Sequence, residues 1–199
     1  MRDVRERLQG FESPPVELSR PGERAAAVLL PVFEEDGEAR LILTKRPDTM
    51  ALHRGEIAFP GGKVDPSLDR DARDAALRET EEEIGVARDT VDVIAALPAM
   101  STAVGTFLIS PFVGILEGRP TITPHPREVD LVFDVSLAQL LTEGVYREEH
   151  WGLDEHGVER LVGFFELEDE TVWGATARIL TEFLALVVDV PLNPGRFFG

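Results

Sequence analysis

The sequence contains no cysteine, which excludes disulfide bonds and thiolate chemistry from its fold and function. It also lacks an apolar run long enough to form a membrane-spanning helix. The N-terminal stretch 1–8 is rich in charged residues and has no apolar core of the kind found in secretory signal peptides. These absences favour a cytoplasmic protein that has no membrane partner.

Positive charge is also scarce, because 20 Lys and Arg stand against 37 Asp and Glu and the formal net charge is −17. A chain with this charge is repelled by nucleic acids and by anionic membrane surfaces, so we expect a small-molecule partner and no nucleic acid. An acidic protein that handles a phosphorylated ligand needs a metal cation between the two sets of negative charge.

The length of 199 residues and the hydrophobic fraction of 43% predict one folded domain with a complete core. We assign residues 1–199 to this single domain, with residues 1–24 as an N-terminal extension. A homodimer is compatible with these properties.

Hydrophobic periodicity and turn residues predict alternating strands and helices. Asp36-Gly37 is typical of a hairpin turn between strands 25–33 and 39–44. A helix is predicted over 70–84, with Asp69 as its N-cap, and a strongly apolar helix over 173–188. The remaining predictions are a helix over 1–9 and strands over 91–97, 107–116, 131–135 and 161–167, the last of these with a hairpin partner over 145–151. This order favours an α/β fold, namely an α/β/α sandwich with a mixed β-sheet between helices.

The predicted helix 70–84 carries the most informative residues. Glu79, Glu82 and Glu83 stand at positions i, i+3 and i+4, so their carboxylates share one face and repel one another unless a cation is bound. Arg78 lies four residues before Glu82 and is expected to hold that carboxylate, while Gly85 is suited to the left-handed conformation that ends a helix. A wheel places the following residues on the opposite face, against the sheet: Arg73, Leu77, Thr80 and Ile84. A solvated acidic helix is the simpler alternative.

The order of these residues resembles the Nudix box. Arg78-Glu79, Glu82-Glu83, Gly85 and Val86 match the pattern position by position, and Gly62 matches its first glycine. The loop between Gly62 and Arg78 is two residues longer than the pattern, and Thr80 stands where an aliphatic residue is usual. The first glutamate of the pattern falls at Arg70, so its loop-anchoring role is expected at Asp69 or Asp71.

The resemblance implies hydrolysis of a diphosphate linked to another moiety, by in-line attack of water. Mg²⁺, or Mn²⁺, suits the oxygen ligands of Glu79, Glu82 and Glu83, and a backbone carbonyl of Gly61 or Gly62 is a candidate further ligand. Glu128, on the loop 123–128, is a candidate for accepting a proton from water or for holding a second metal; an ordinary loop glutamate is the alternative.

The segment before the box resembles the coenzyme A pyrophosphatase branch of the Nudix hydrolases. Gly55 and the run Phe59-Pro60-Gly61-Gly62 match the spacing of that branch, whereas Ala51 stands where it carries an arginine. Arg46 and Arg54 are therefore candidate ligands of substrate phosphate, together with Gly61 and Gly62 in the substrate-binding loop.

This resemblance implies hydrolysis of coenzyme A or its thioesters to (acyl-)phosphopantetheine and adenosine 3′,5′-bisphosphate. The alternatives are a Nudix pyrophosphatase for ADP-ribose or another dinucleotide, and a catalytically weak nucleotide-binding regulator on the same fold. Trp173 is expected to pack the last helix onto the core rather than to stack on a base. The histidines His53, His125, His150 and His156 show no metal-ligand spacing.

Overall fold

A computed structural model describes residues 1–13, 18, 22–48, 55–102, 107–153 and 159–188. The helices in these residues are α1 (Arg2–Leu8), α2 (Ala72–Ile84), α3 (Leu137–Leu140) and α4 (Gly174–Val187), with a 3₁₀ turn at Arg88–Thr90. The strands are β1 (Arg24–Glu35), β2 (Glu38–Lys45), β3 (Ile57–Ala58), β4 (Gly61–Lys63), β5 (Asp92–Ala96), β6 (Met100–Ser101), β7 (Phe107–Ile115), β8 (Leu131–Ser136), β9 (Tyr146–Leu153), β10 (Glu159–Glu166) and β11 (Thr171–Trp173). No helix of the described residues is long and apolar enough to span a membrane.

The larger sheet has the strand order β3-β2-β1-β7-β5, and β4, β6 and β8 pair with β1, β7 and β2. The β1–β7 pair is parallel, whereas the other strand pairs of this sheet are antiparallel, so the sheet is mixed as predicted. The predicted hairpin turn is confirmed, because Asp36 and Gly37 have φ angles of 53° and 81° between the paired residues Glu35 and Glu38.

Side-chain alternation along β1 and β2 divides the core between the two faces of this sheet. Leu29 and Ile42 point to the face covered by α2, whereas Leu30 and Leu43 point to the core shared with α1 and α4. This is the predicted arrangement of a mixed sheet between helical layers. The strands predicted over 145–151 and 161–167 form a second sheet of three strands, ordered β11-β10-β9, against which α4 packs.

Helix α2 differs from its prediction in its start and in its buried face. It begins at Ala72 because Asp71, and not Asp69, is the N-cap and accepts a hydrogen bond from the N–H of Asp74. Arg73 is exposed and Leu77 only partly buried, so their predicted packing on the sheet is wrong for Arg73 and incomplete for Leu77. The small side chain of Ala76 lies on the face toward the sheet instead.

Thr80 and Ile84 of α2 are buried as predicted. The Thr80 hydroxyl donates to the carbonyl oxygen of Ala76 at 2.7 Å, so a hydroxyl is tolerated where the Nudix pattern prefers an aliphatic side chain.

Trp173 also differs from its prediction, because 38% of it is exposed and it precedes α4 at the end of β11. Val172 is fully buried against α4, and successive residues of a strand point to opposite faces, so Trp173 points to the outer face of the second sheet.

Candidate active site

The end of α2 is joined to a loop that carries a further carboxylate. Gly85 ends the helix in the left-handed conformation, with φ of 74°, as predicted. The loop N–H groups of Thr123 and His125 then donate to the last carbonyls of the helix, those of Ile84 and Glu83, at 2.9 Å and 2.8 Å. These two bonds hold the loop 123–128, and with it Glu128, beside the acidic face of α2.

Arg78 organises the carboxylates of this helix from a nearly buried position. Its Nη1 lies 2.9 Å from Glu82 Oε2, as the sequence predicts, and also 2.9 Å from Glu79 Oε1. Its Nη2 donates to the carbonyl of Lys63 at 3.3 Å, which connects the helix to β4. The hydrogen bond from Arg78 to the carboxylate of Asp69 raises the pKa of Arg78 most, the contact with Glu79 adds to the rise against the effect of burial, and Arg78 stays charged.

Asp69 is the loop-anchoring carboxylate, one of the two positions that the sequence allows for this role. Its side chain is fully buried and accepts from Nε and Nη2 of Arg78 at 2.7 Å and 3.0 Å. It also accepts from the N–H of Asp65 at 2.7 Å. Because Arg78 donates to it, the pKa of Asp69 lies below its ordinary value even though burial opposes this shift. The other position, Asp71, is the helix cap.

Glu83 is buried at the contact between α2 and β4. Its Oε2 accepts a hydrogen bond from the N–H of Gly61 at 3.1 Å. Burial raises the pKa of Glu83 to about 7, against the Gly61 N–H and the charge of Arg46, which lower it. The charges of Glu79 and Glu128 add to the rise.

Glu79 is packed against the glycine that the sequence assigns to substrate binding. A Cβ atom on Gly62 would lie 2.5 Å from the carboxylate carbon of Glu79, so only glycine leaves this carboxylate its place. Burial raises the pKa of Glu79, and the charges of Glu82 and Glu128 act in the same direction against Arg78. Burial outweighs the favourable contact with Arg78, so the charged form of Glu79 is disfavoured.

Glu82 and Glu128 complete the acidic face from more exposed positions, with 53% and 46% of their side chains accessible. The Nδ1 atom of His125 lies 3.6 Å from Glu128 Oε1. Because the loop 123–128 is bonded to the end of α2, Glu128 lies near enough to Glu79 and Glu83 for its charge to act on both.

The potential ligands on this face are carboxylate oxygens, which suit a hard divalent cation. Burial raises the pKa of two of these carboxylates, those of Glu79 and Glu83. Within the described ranges, however, no three acidic or histidine side chains are already gathered as ligands around one point. Arg78 and the Gly61 N–H engage Glu79, Glu82 and Glu83 instead.

Arg46 follows β2 and extends the site with a positive charge. Its Nε atom is buried and makes no hydrogen bond to the described residues, while its charge acts on Glu83. Its backbone exchanges hydrogen bonds with Glu56 and Gly55 at 3.1 Å each. Arg54 and Ala51, the other positions at issue for phosphate binding, lie outside the described residues, as do His53 and His156.

Lys63 and Glu170 have contacts here that the sequence did not indicate. The Lys63 contact is made by a backbone carbonyl, which no side-chain pattern reveals. Glu170 pairs with Lys45, the neighbour of Arg46, across 125 positions of sequence, and no local spacing signals such a pair.

Comparison with known proteins agrees with this geometry. The NUDIX domain family matches residues 23–169. Nudix hydrolase 22, chloroplastic, of Arabidopsis thaliana is 40% identical over 84% of this chain, which spans 57% of that protein's length. The protein named "Uncharacterized Nudix hydrolase NudL" of Cronobacter sakazakii is 38% identical over 89% of this chain and 90% of its own.

Solved structures show the same fold at lower identity. A MutT/nudix family protein from Enterococcus faecalis has a TM-score of 0.60 at 16% identity, over 90% of this chain and 67% of its own. The NUDIX domain of Shewanella oneidensis NrtR, complexed with ADP ribose, has a TM-score of 0.51 at 16% identity, over 64% of this chain and 82% of its own. The match of the family model to residues 23–169 and the relatives at 38% and 40% identity show that the chain belongs to the Nudix family.

Proposed function

We propose that the protein is a divalent-metal-dependent Nudix hydrolase that cleaves a diphosphate linkage in a nucleotide derivative. The observation that carries this proposal is the acidic face of α2, where Glu79 and Glu82 contact Arg78, Glu83 accepts from the Gly61 N–H, and burial raises the pKa of Glu79 and Glu83. Such mutual repulsion is costly in a protein that does not bind a cation there.

Glu79, Glu82 and Glu83 would hold Mg²⁺ or Mn²⁺, which supplies neutralisation of phosphate charge and a lowered pKa for an attacking water. Arg78 acts as a positioning residue, because its bonds fix Glu79 and Glu82 on the one side and Asp69 on the other. We assign Glu128 the role of accepting the proton of the attacking water, or of holding a second metal, because it is exposed and its charge acts on Glu79 and Glu83.

Arg46 contributes the positive charge for a substrate phosphate. The charge of Arg46 acts on the buried carboxylate of Glu83, so its guanidinium lies close enough to the acidic face to share in binding a phosphate held there. A phosphate oxygen is the acceptor that a guanidinium group binds best.

Coenzyme A or one of its thioesters is the leading substrate in this proposal, and the support for it is the motif at Gly55 and 59–62. The missing arginine at Ala51 favours keeping a second candidate, ADP-ribose or another dinucleotide. ADP ribose is the ligand in the NrtR structure, a likeness that by itself concerns the fold.

A turnover screen of coenzyme A, dephospho-coenzyme A, ADP-ribose, NADH and diadenosine polyphosphates, each with Mg²⁺ and with Mn²⁺, tests the proposal. We expect coenzyme A to give the highest kcat/KM and to yield phosphopantetheine. Preference for ADP-ribose would replace the substrate but keep the reaction. Tight binding of a nucleotide without turnover of any substrate would instead favour the alternative of a catalytically weak nucleotide-binding regulator.

A further inference from the structure

The second sheet carries an exposed aromatic surface. Trp151 and Trp173 are 50% and 38% exposed, and their ring centroids lie 5.9 Å apart. The ring of Phe164 lies beneath them, 6.1 Å from that of Trp151. We call Trp151, Trp173 and Phe164 the aromatic platform. A group of large aromatic side chains exposed on one surface is typical of a site that contacts a ligand or a partner.

Strand geometry explains why the platform faces outward. Phe164 pairs with Trp173 across β10 and β11, whereas their neighbours Phe165 and Val172 pair on the opposite face and fill the core under α4. Alternation along both strands therefore fixes the two aromatic rings on the outer face.

The charged groups beside the platform are paired with one another. The guanidinium of Arg147 lies 4.3 Å from the ring centre of Phe164, and it forms ion pairs with Glu149 and Glu166. Glu149 also accepts from the indole Nε1 of Trp151 at 2.9 Å. One positive and two negative charges leave a net negative charge beside the platform, so it suits a flat uncharged ring better than a phosphate or an acidic peptide.

Two polar contacts attach the sheet that bears the platform to the candidate active site. Lys45 Nζ pairs with Glu170 at 2.6 Å. Lys45 is the residue before Arg46, and Glu170 is the residue before the start of β11. The Thr176 hydroxyl in the first turn of α4 donates to the carbonyl of Ile57 at 2.9 Å. Ile57 precedes Gly61 by only four residues, a stretch that spans at most about 14 Å when fully extended.

From this placement we infer that the aromatic platform is the subsite for the nucleobase of the substrate, with Trp173 as its central stacking residue. The inference rests on the proposed function, because the site at Arg46 and Gly61 would hold the diphosphate of the same molecule. The base then stacks on the indole rings while the phosphates extend toward Arg46.

Tryptophan fluorescence tests this assignment directly, because the chain contains only two tryptophans and both belong to the platform. The full chain, kept in chelator so that no hydrolysis occurs, is titrated with AMP, with adenosine 3′,5′-bisphosphate and with base-free pyrophosphate. We expect saturable quenching by the two adenine nucleotides and none by pyrophosphate. No quenching by either nucleotide would overturn the inference.

Steady-state kinetics of two Trp173 variants test the subsite a second time, with the nucleotide that the turnover screen identifies as substrate. Trp173→Leu is expected to raise KM about five- to hundredfold with little change in kcat, since base stacking contributes that much to binding. Trp173→Phe should recover part of the loss because it keeps an aromatic face. Leu141→Ala, which removes another exposed apolar side chain at the end of α3, is the control and should leave KM unchanged.

The outcomes separate the subsite from the reaction. Hydrolysis with unchanged KM in Trp173→Leu rejects the subsite and leaves the proposed function in place. Quenching by AMP in a chain that hydrolyses nothing supports the subsite and rejects the function. If emission instead changes on dilution of the ligand-free chain, together with a halving of its mass in sedimentation, the platform is a contact between two copies and the inference is wrong.

Discussion

At the scale of single residues, the two glycines of β4 have different reasons to be glycine. Gly61 has φ of 154°, and a Cβ atom there would lie 2.3 Å from the carbonyl oxygen of Ala27, which is backbone and has no freedom to move. A Cβ atom on Gly62 would instead meet the end of the flexible Glu79 side chain. Glycine is needed at Gly61 for the pairing of β4 with β1, and at Gly62 for the position of the Glu79 carboxylate.

This contrast predicts that Gly62→Ala lowers kcat strongly with a small loss of stability, because Glu79 can rotate away but then leaves its position in the site. Gly61→Ala should lower the midpoint of urea unfolding strongly, since neither the strand pairing with β1 nor the backbone angle accommodates a methyl group. Urea unfolding and steady-state kinetics of both variants check this. Equal effects of the two on stability would contradict it.

Arg46 is the described arginine to which the proposed function gives the phosphate contact. We expect Arg46→Ala to raise KM with a fall in kcat/KM of about ten- to hundredfold, since a hydrogen bond to a charged group contributes about 1.5–3 kcal/mol. Arg46→Lys should recover only part, because a point charge does not reproduce the guanidinium fork.

Arg54→Ala is the comparison that assigns the phosphate contact. A larger effect of Arg54→Ala than of Arg46→Ala would transfer the role to Arg54, which would then replace the arginine that the branch carries at Ala51. Unchanged kinetics in both variants would remove arginine binding of the phosphate from the proposal.

At the scale of elements, Asp69 and Arg78 join the loop before α2 to the helix itself. Asp69→Ala removes one partner of a buried ion pair, and we expect it to destabilise the fold by about 3 kcal/mol, the lower end of the usual cost, because Arg78 retains Glu79 and Glu82. Urea unfolding measures this loss. A change below about 1 kcal/mol would show that the loop is held by other contacts.

The same pair predicts a pH dependence. The pKa of Asp69 is lower in the folded protein than in the unfolded chain. The ionised Asp69 therefore contributes its full stabilisation above its pKa in the unfolded chain, which is about 4, and this stabilisation is lost as the pH falls through its pKa in the folded protein. The difference in unfolding free energy between the wild type and Asp69→Asn should therefore shrink on acidification below about pH 4. A difference that stays constant to low pH would contradict an ionic role.

The sequence predicts the long elements well, because their signals are local. The hairpin at Asp36-Gly37, the end of α2 at Gly85 and the pair of Arg78 with Glu82 all depend on residues within four positions of each other. The buried face of α2 cannot be predicted in this way, because it depends on tertiary packing. Ala76 packs toward the sheet and Arg73 is exposed.

Partners far apart in sequence were missed for a related reason. The pairing of 145–151 with 161–167 is confirmed, because a hairpin is local, but their separation into a second sheet with β11 was not predicted. That separation, the Lys45–Glu170 pair and the outward face of Trp173 depend on how β9, β10 and β11 pack against the rest of the fold. Short strands such as β4 also escape periodicity, because three residues, two of them glycine, carry no hydrophobic pattern.

At the scale of the whole molecule, the net charge of −17 makes any cation stabilising to some degree. A specific site must therefore be separated from general screening of negative charge. Helix α2 offers two glutamates of equal charge for this purpose, one within its acidic face and one outside it. Glu83 belongs to the proposed metal ligands, whereas Glu81 lies on the same helix and pairs with Arg88 at 2.8 Å, away from them.

We expect Mg²⁺ at about a hundredfold excess over its dissociation constant to stabilise the fold by about 2.7 kcal/mol, which raises the melting temperature by roughly 5–10 °C for a domain of this size. NaCl at equal ionic strength should give a smaller rise, because it screens charge without binding the site. Glu83→Gln should lose the part of the shift specific to Mg²⁺, and Glu81→Gln should retain it although both substitutions remove one negative charge. Equal Mg²⁺ responses in the two variants would mean that the ion acts on the overall charge of the molecule, and Glu83 would then have no role as a metal ligand.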